Sequence, residues 1–197
     1  GSESGTALAQ VLFGEVNPSG KLPVTFYRQL NDCGAIAMGE YPGDGKNVRY
    51  NEGIFVGYRY VDKFDVKPQF HFGHGLSYTK FRYGKPIADR MKIHSGDTIK
   101  ISVPVTNVGN RSGKEVVQLY VHDEKASVPR PVKELKGFVK LDLAPGETKN
   151  AVFSISSRDL SFYDEASQCW KAEPGGFKLM IGASSSDIKC NLSITLM

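Results

Sequence analysis

The chain has 197 residues, 40% hydrophobic and 23% charged, with 21 Gly and 10 Pro. That composition sustains one large folded domain or two small ones and excludes disorder, collagen and coiled coil. Lys and Arg number 25 against 21 Asp and Glu, a net charge of +4 without a basic cluster, which gives no footprint for nucleic acid. No run reaches the roughly 18 apolar residues of a membrane helix, so no membrane partner is expected.

In chain order, residues 5–13 (GTALAQVLF) place Ala7, Leu8, Val11 and Leu12 at helical spacing and predict a short buried helix, with Ser4 as cap and Gly14 as stop. Asn17-Pro18-Ser19-Gly20 spells a turn. Leu22, Val24 and Phe26 then alternate as a strand, which Pro23 confines to an edge. Tyr27 to Arg49 has no period and reads as a long loop. Val56, Tyr58 and Tyr60 alternate with Gly57, Arg59 and Val61, predicting a short strand, and PQFHFGHGLSYTKF is too rich in Gly to be regular. Such a stretch cannot close a core by itself, so the first 80 residues are expected to pack against something outside this chain. The predicted domains are 1–83 and 84–197.

Beyond that boundary the sequence alternates. Ile99, Ile101, Val103 and Val105 share one face; Val117, Leu119 and Val121 follow, then Leu135, Gly137, Val139 and Leu141. Val152 to Ile155 alternates in either of two registers, and runs at Phe177–Ile181 and Ile188–Leu196 come last. Turn signals between them include Asn107 to Gly113 and Ala144-Pro145-Gly146-Glu147. Seven or more strands at this spacing predict a mainly β chain: an immunoglobulin or fibronectin type III-like β-sandwich preceded by an incomplete α/β segment. Trp170 is expected in or beside the core, Pro129 and Pro131 in a sheet edge or connection.

Three blocks, GTALAQVLFGEVNPSGKLPVTF, YNEGIFVGYRYVD and FHFGHGLSYTKF, resemble in that order the end of the second domain of glycoside hydrolase family 3. VTNVGNRSGKEVVQLYV, VPRPVKELKGFVKLDLAPGET and DLSFYDEASQCWKAEPGGFKLMIGASSSDI resemble the fibronectin type III-like domain that closes many β-glucosidases and β-xylosidases of that family. The resemblance implies a piece of an exo-acting retaining β-glycosidase, foremost a β-glucosidase, with β-xylosidase or arabinofuranosidase as the nearer competitor. It also implies a periplasmic or secreted enzyme. The family's nucleophilic Asp lies in an N-terminal barrel and its acid/base Glu upstream of the block that opens this chain, so no catalytic residue is assigned here. A C-terminal fragment of this kind is expected to be inert alone. Its implied partners are the barrel and the rest of the α/β sandwich of the same enzyme, and an oligosaccharide or glycoside substrate. The rival reading is a carbohydrate-binding or assembly module.

Among this chain's own carboxylates, Glu40, Asp44 and Glu52 stand near aromatic residues; each is expected solvated or paired with Arg49 or Arg59. Glu52 is the strongest of them, as a scaffold acid that fixes Arg59 or caps donors freed by Gly53. Glu52, Tyr50 and Arg59 are placed at the periphery of a substrate pocket. His71 and His74 lack a helix and a third ligand, and the other two histidines are isolated, so no metal or cofactor is expected. Cys33, Cys169 and Cys190 fit no metal spacing; Cys169 and Cys190 could pair, but a buried free thiol is the commoner outcome. Asn110 and Asn191 head glycosylation triplets. Tyr120, Phe138, Phe162, Tyr163 and Trp170 could carry a sugar if exposed, although aromatics on strands are mostly core.

Overall fold

Apolar alternation has its expected consequence in the second half of the computed structural model, which describes residues 1–197. The elements are α1 (Ser4–Leu12), α2 (Gly34–Ala37), α3 (Tyr58–Lys63), β1 (Phe81–Tyr83), β2 (Ile87–Ala88), β3 (Lys92–Ile93), β4 (Thr98–Asn107), β5 (Gly113–Asp123), β6 (Glu134–Leu143), β7 (Thr148–Ser156), β8 (Phe162–Asp164), β9 (Cys169–Lys171), β10 (Gly175–Gly182) and β11 (Ile188–Leu196). One sheet has β4 at its centre, paired with β7 on one side and with β1 and β2 on the other; the second runs β3-β11-β10-β5-β6. Ile99, Ile101, Val103 and Val105 of β4 and Ala151, Phe153 and Ile155 of β7 meet Val117, Leu119, Phe177, Leu179, Ile181 and Ile194 of the other sheet in one continuous core. The register of β7 therefore buries Phe153 and Ile155 and leaves Val152 exposed.

Two sequence expectations change here. Phe81–Tyr83, assigned above to the first domain, pairs with Asn107, Thr106 and Val105 of β4 and so hydrogen-bonds in a sandwich sheet. Trp170 lies outside the core, on the separate β8–β9 hairpin, and is 51% exposed.

The first 80 residues hold α1, α2, α3 and little other regular structure. α1 forms as its spacing predicts, and Gly14 ends it at φ +79°, a backbone region that glycine enters without a Cβ clash. Ser4 does not cap it: Glu3 holds that position without a side-chain bond, and no residue of α1 is buried. The predicted strand at Lys21–Phe26 is reduced to one bridge between Phe26 and Phe70, flanked by Leu22 N–H to His74 O (2.8 Å) and Gly73 N–H to Leu22 O (2.8 Å). Pro23 has no N–H to extend that ladder. The long loop contains a 3-10 turn at Leu30–Asp32 and the single turn α2.

The strand predicted around Tyr58 is the helix α3. A six-residue run reads equally well with period 2 or 3.6, and two features select the helix. Gly57 turns the chain at φ +57°, and Tyr60 meets Phe64 four residues on, ring centroids 4.7 Å apart. Tyr60 also packs on Gly34, where a Cβ would lie 2.8 Å from the ring.

Candidate functional site

The outer face of β5 shows how the two halves meet. Gln118 and Tyr120 alternate with the core residues and should face water, yet both are buried. Tyr58 covers them, stacked on Phe72 (4.9 Å) and edge-on to Tyr120 (5.9 Å). Gly73 sits against the Gln118 amide, which donates to Ala183 O (3.0 Å) while its Oε1 accepts from the Tyr120 hydroxyl. Burial pushes the Tyr120 hydroxyl far above its usual range, so it remains a donor.

α3 carries the charged part of this junction. Tyr58 Oη accepts from Leu135 N–H (2.9 Å), Asp62 pairs with Lys133 (2.6 Å), and Arg59 lies 3.6 Å from Glu134. Glu134 also takes Arg130 (2.7 Å) and Lys136 (3.2 Å), and Arg130 further donates to Asp123 (3.0 Å) and Leu160 O (2.7 Å). Burial works to raise the Glu134 carboxyl, but the Arg130 hydrogen bond and the Lys136 and Arg130 charges hold it below its ordinary value. The prolines beside Arg130 lie in the β5–β6 connection, as expected, and the residue between them is the hub.

A second set of contacts ties the Asn17 turn to the sandwich. Asn17 Oδ1 accepts from Tyr78 N–H (2.8 Å) and Ser77 Oγ (3.1 Å), and its Nδ2 donates to Ser112 O (2.9 Å). The buried Asn107 amide donates to Leu143 O (3.0 Å) and Arg111 O (2.7 Å) and accepts from Thr79 (2.6 Å). Lys21 lies 3.6 Å from the buried Glu115, which also accepts from the Tyr83 hydroxyl (2.8 Å); burial first, then the Glu115 charge, push that hydroxyl up.

Of the three acids singled out in the sequence, Glu40 and Glu52 are buried and Asp44 is exposed. Glu40 is buried and accepts from Asn51, and both line a polar hollow of about 370 Å³ with Asp44, Asn47 and Arg49. Asp44 closes its own turn, accepting from Asn47 N–H (2.6 Å) and Lys46 N–H (2.8 Å); these bonds hold its carboxyl low. Glu52 is 8% exposed, and its Oε2 has no hydrogen-bond partner. Arg59 pairs with Glu134 instead of Glu52, and Tyr50 is 78% exposed. The structure therefore does not gather Glu52, Tyr50 and Arg59 into one cavity. Arg59 lines a different cleft of about 730 Å³, with Ile54, Pro129, Arg130, Glu134, Tyr163 and Trp170 among its walls. All three thiols are free, and Cys169 is exposed on its hairpin. His74 stacks on Phe70 at 5.1 Å.

Sequence reasoning missed Arg130, Lys133 and Asp62. The available signal was Glu134 four residues after Arg130, in a segment where two prolines fix the backbone.

Comparison with known proteins gives two family matches: Glycosyl hydrolase family 3 C-terminal domain over residues 1–78 and Fibronectin type III-like domain over residues 115–185. The chain is 50% identical over 191 residues to the beta-glucosidase BoGH3A of Bacteroides ovatus, covering 96% of this chain and 26% of that protein. It is 48% identical over 194 residues to the thermostable beta-glucosidase B of Acetivibrio thermocellus, covering 98% and 25%. The crystal structure of the GH3 beta-glucosidase of Bifidobacterium adolescentis superposes with a TM-score of 0.90 at 39% identity, over 98% of this chain and 28% of that one. The chain thus spans about a quarter of the length of the curated relatives it matches.

Proposed function

Because this chain belongs to glycoside hydrolase family 3, as its C-terminal part, we propose that the protein containing it is an exo-acting retaining β-glucosidase, for which residues 1–197 are scaffold and pocket wall. The reacting carboxyl pair is supplied by the upstream barrel and the rest of the α/β domain, and terminal non-reducing β-linked sugars are the substrate. The observation that carries the scaffold role is the unpartnered apolar surface of the first 80 residues. Phe13 is 85% exposed, Leu30 and Leu76 72%, and Leu12 67%, while the other side of this segment is locked to β5 and β6. Side chains of this size belong against another surface.

The division falls just ahead of β1 and separates two working parts: residues 1–80 contribute to the second domain, and the sandwich of residues 81–197 buttresses them. Within the first, Tyr50 and Glu52 stand at the rim of the sugar pocket, on the loop braced by the Asn51–Glu40 bond, with Arg59 anchoring the same stretch to the sandwich. The unpartnered Glu52 oxygen supports this reading, since a buried carboxylate needs a donor and an upstream domain can supply one. Hydrolysis of p-nitrophenyl β-glucoside and β-xyloside, by the full-length enzyme and by this chain, tests the proposal. Glucoside turnover by the full-length enzyme alone is expected. Turnover by the isolated chain would overturn the scaffold role, and preference for the xyloside would overturn the sugar.

A further inference from the structure

The cleft between the β5–β6 connection and the β8–β9 hairpin is not used by the scaffold role. It measures about 730 Å³, the size of a small-molecule site, and sets Arg59 of the first segment beside Arg130 and Glu134 of the sandwich, with Tyr163 and Trp170 on the hairpin wall. We propose that this cleft binds an uncharged oligosaccharide, stacked against Tyr163 and Trp170 and hydrogen-bonded by the charged groups of its walls.

Three features select that ligand. The first is a pair of prearranged rings: Tyr163 and Trp170 are cross-strand partners in β8–β9, their centroids 5.6 Å apart and their planes at 68°. Both are about half exposed, and the Arg158 guanidinium, 3.6 Å from the indole centroid, already steadies the Trp170 ring. Two fixed, half-wet aromatic rings suit the C–H face of a pyranose, which needs apolar contact on one side and water on the other.

The second feature is charge balance. Arg59, Arg130 and Lys136 are matched by Glu134, Asp164 and Glu165 on the same walls, so the cleft offers no net attraction to an anion or a cation. The third is directional capacity. Arg130 is engaged by Asp123, Glu134 and Leu160 O and holds Glu134 in place, while Arg59 touches Glu134 only at 3.6 Å and Lys136 bonds Glu134 alone, so both keep free N–H donors. Asp164 is fixed by Ala166 N–H and Ser167 Oγ, and Glu165 takes no ion pair or side-chain hydrogen bond. Donors and acceptors side by side, most of them immobilised beforehand, match vicinal hydroxyls, each of which donates and accepts. A lipid would leave these charges unsolvated.

Trp170 is the only tryptophan of the chain, so its emission reports binding beside its ring, and a weakened response in the Tyr163 variant assigns it to this cleft rather than to the hollow on the Arg158 side. The 197-residue chain is titrated with cellotetraose, xylotetraose and laminaritetraose, followed by fluorescence and by calorimetry. A saturable response to at least one is expected, with Kd in the range of about 0.1–3 mM usual for shallow sites. Tyr163→Ala is expected to weaken it about tenfold, and Phe138→Ala, which removes an exposed ring elsewhere on β6, to leave it unchanged. Both variants must retain the wild-type melting transition, since both rings are exposed. No saturable response to any of the three, equal affinity in Tyr163→Ala, or binding confined to an anionic tetragalacturonate overturns the proposal. Binding is read on the chain itself, so it stands or falls separately from hydrolysis by the whole enzyme.

Discussion

Arg130→Met removes the one side chain shared by two acids of the junction. Arg130 is bonded to Asp123 (3.0 Å), Glu134 (2.7 Å) and Leu160 O (2.7 Å), and the side chains of Arg130 and Asp123 are 7% and 6% exposed. Little water reaches Asp123 and only the Lys125 N–H (3.1 Å) remains to it, so the substitution leaves a buried carboxylate without its counter-charge. Breaking such a pair costs about 3–5 kcal/mol, equivalent in a chain of this size to a fall in Tm of about 6–20 °C. The assay is urea and thermal unfolding of the 197-residue chain at neutral pH, with Arg130→Met/Asp123→Asn as the second arm. If the cost comes from the orphaned charge, neutralising Asp123 restores part of it, and the double variant is more stable than the sum of the single effects by at least about 1 kcal/mol. A loss below about 1 kcal/mol for Arg130→Met, the size of a solvated surface pair, would refute the reasoning.

The pH dependence of stability follows from Glu134. Its carboxyl is held below the ordinary 4.5 in the fold, so the unfolded chain takes the proton first as pH falls. The stabilisation is whole above about pH 5 and is lost as pH drops through the folded value. Glu134→Gln should flatten the fall of the urea midpoint between about pH 5 and 3; an unchanged slope would count against the network. Gly73→Ala forces φ +80° on alanine and puts a Cβ 2.5 Å from Gln118 Oε1, whereas Gly96→Ala at φ +88° meets nothing within 4 Å. The Gly96 variant should lose only backbone strain, about 1 kcal/mol, and the Gly73 variant visibly more; equal losses by chemical denaturation would mean that β5 is not tightly covered. In thiol labelling with Ellman's reagent, exposed Cys169 should react first and half-buried Cys190, whose thiol burial pushes up, should lag. With Cys33 replaced by Ser to leave these two thiols, a fast phase surviving Cys169→Ser would contradict that order.

The sandwich was legible because a half-buried strand writes its period directly: Ile99, Ile101, Val103 and Val105 are read off the sequence and are the core of β4. α3 reads as a strand in the sequence because its run is short and the contacts that hold it from outside, Gly34 under Tyr60 and the β6 backbone beside Tyr58, come from 26 and 77 residues away. The ion network was hidden for the same reason. Charges on Asp62, Asp123, Arg130 and Lys133 look like solvated surface until the fold brings them together. Trp170 went the other way: a strand tryptophan in a small domain is expected inside, but β8 and β9 join neither sheet and leave it on the cleft wall.

The two surfaces of the first segment differ in the kind of contact they offer, and that difference bears on what the sandwich does. Toward β5 and β6, apart from the Tyr58 and Phe72 rings set on Tyr120, the segment presents mainly hydrogen bonds and ion pairs, from Asn17, Tyr58, Arg59 and Asp62, whose geometry is strict but whose net contribution to stability is modest. Its large apolar groups, Leu12, Phe13, Leu30 and Leu76, stay exposed, and burying each would contribute about 1.5–3 kcal/mol. Directional contacts fix where the segment stands; apolar contacts are what would bind it tightly. The sandwich therefore works as a locating surface, setting the pose in which residues 1–80 offer their apolar side, and loosening Arg130 or Gly73 should disturb that pose before it disturbs the sandwich core.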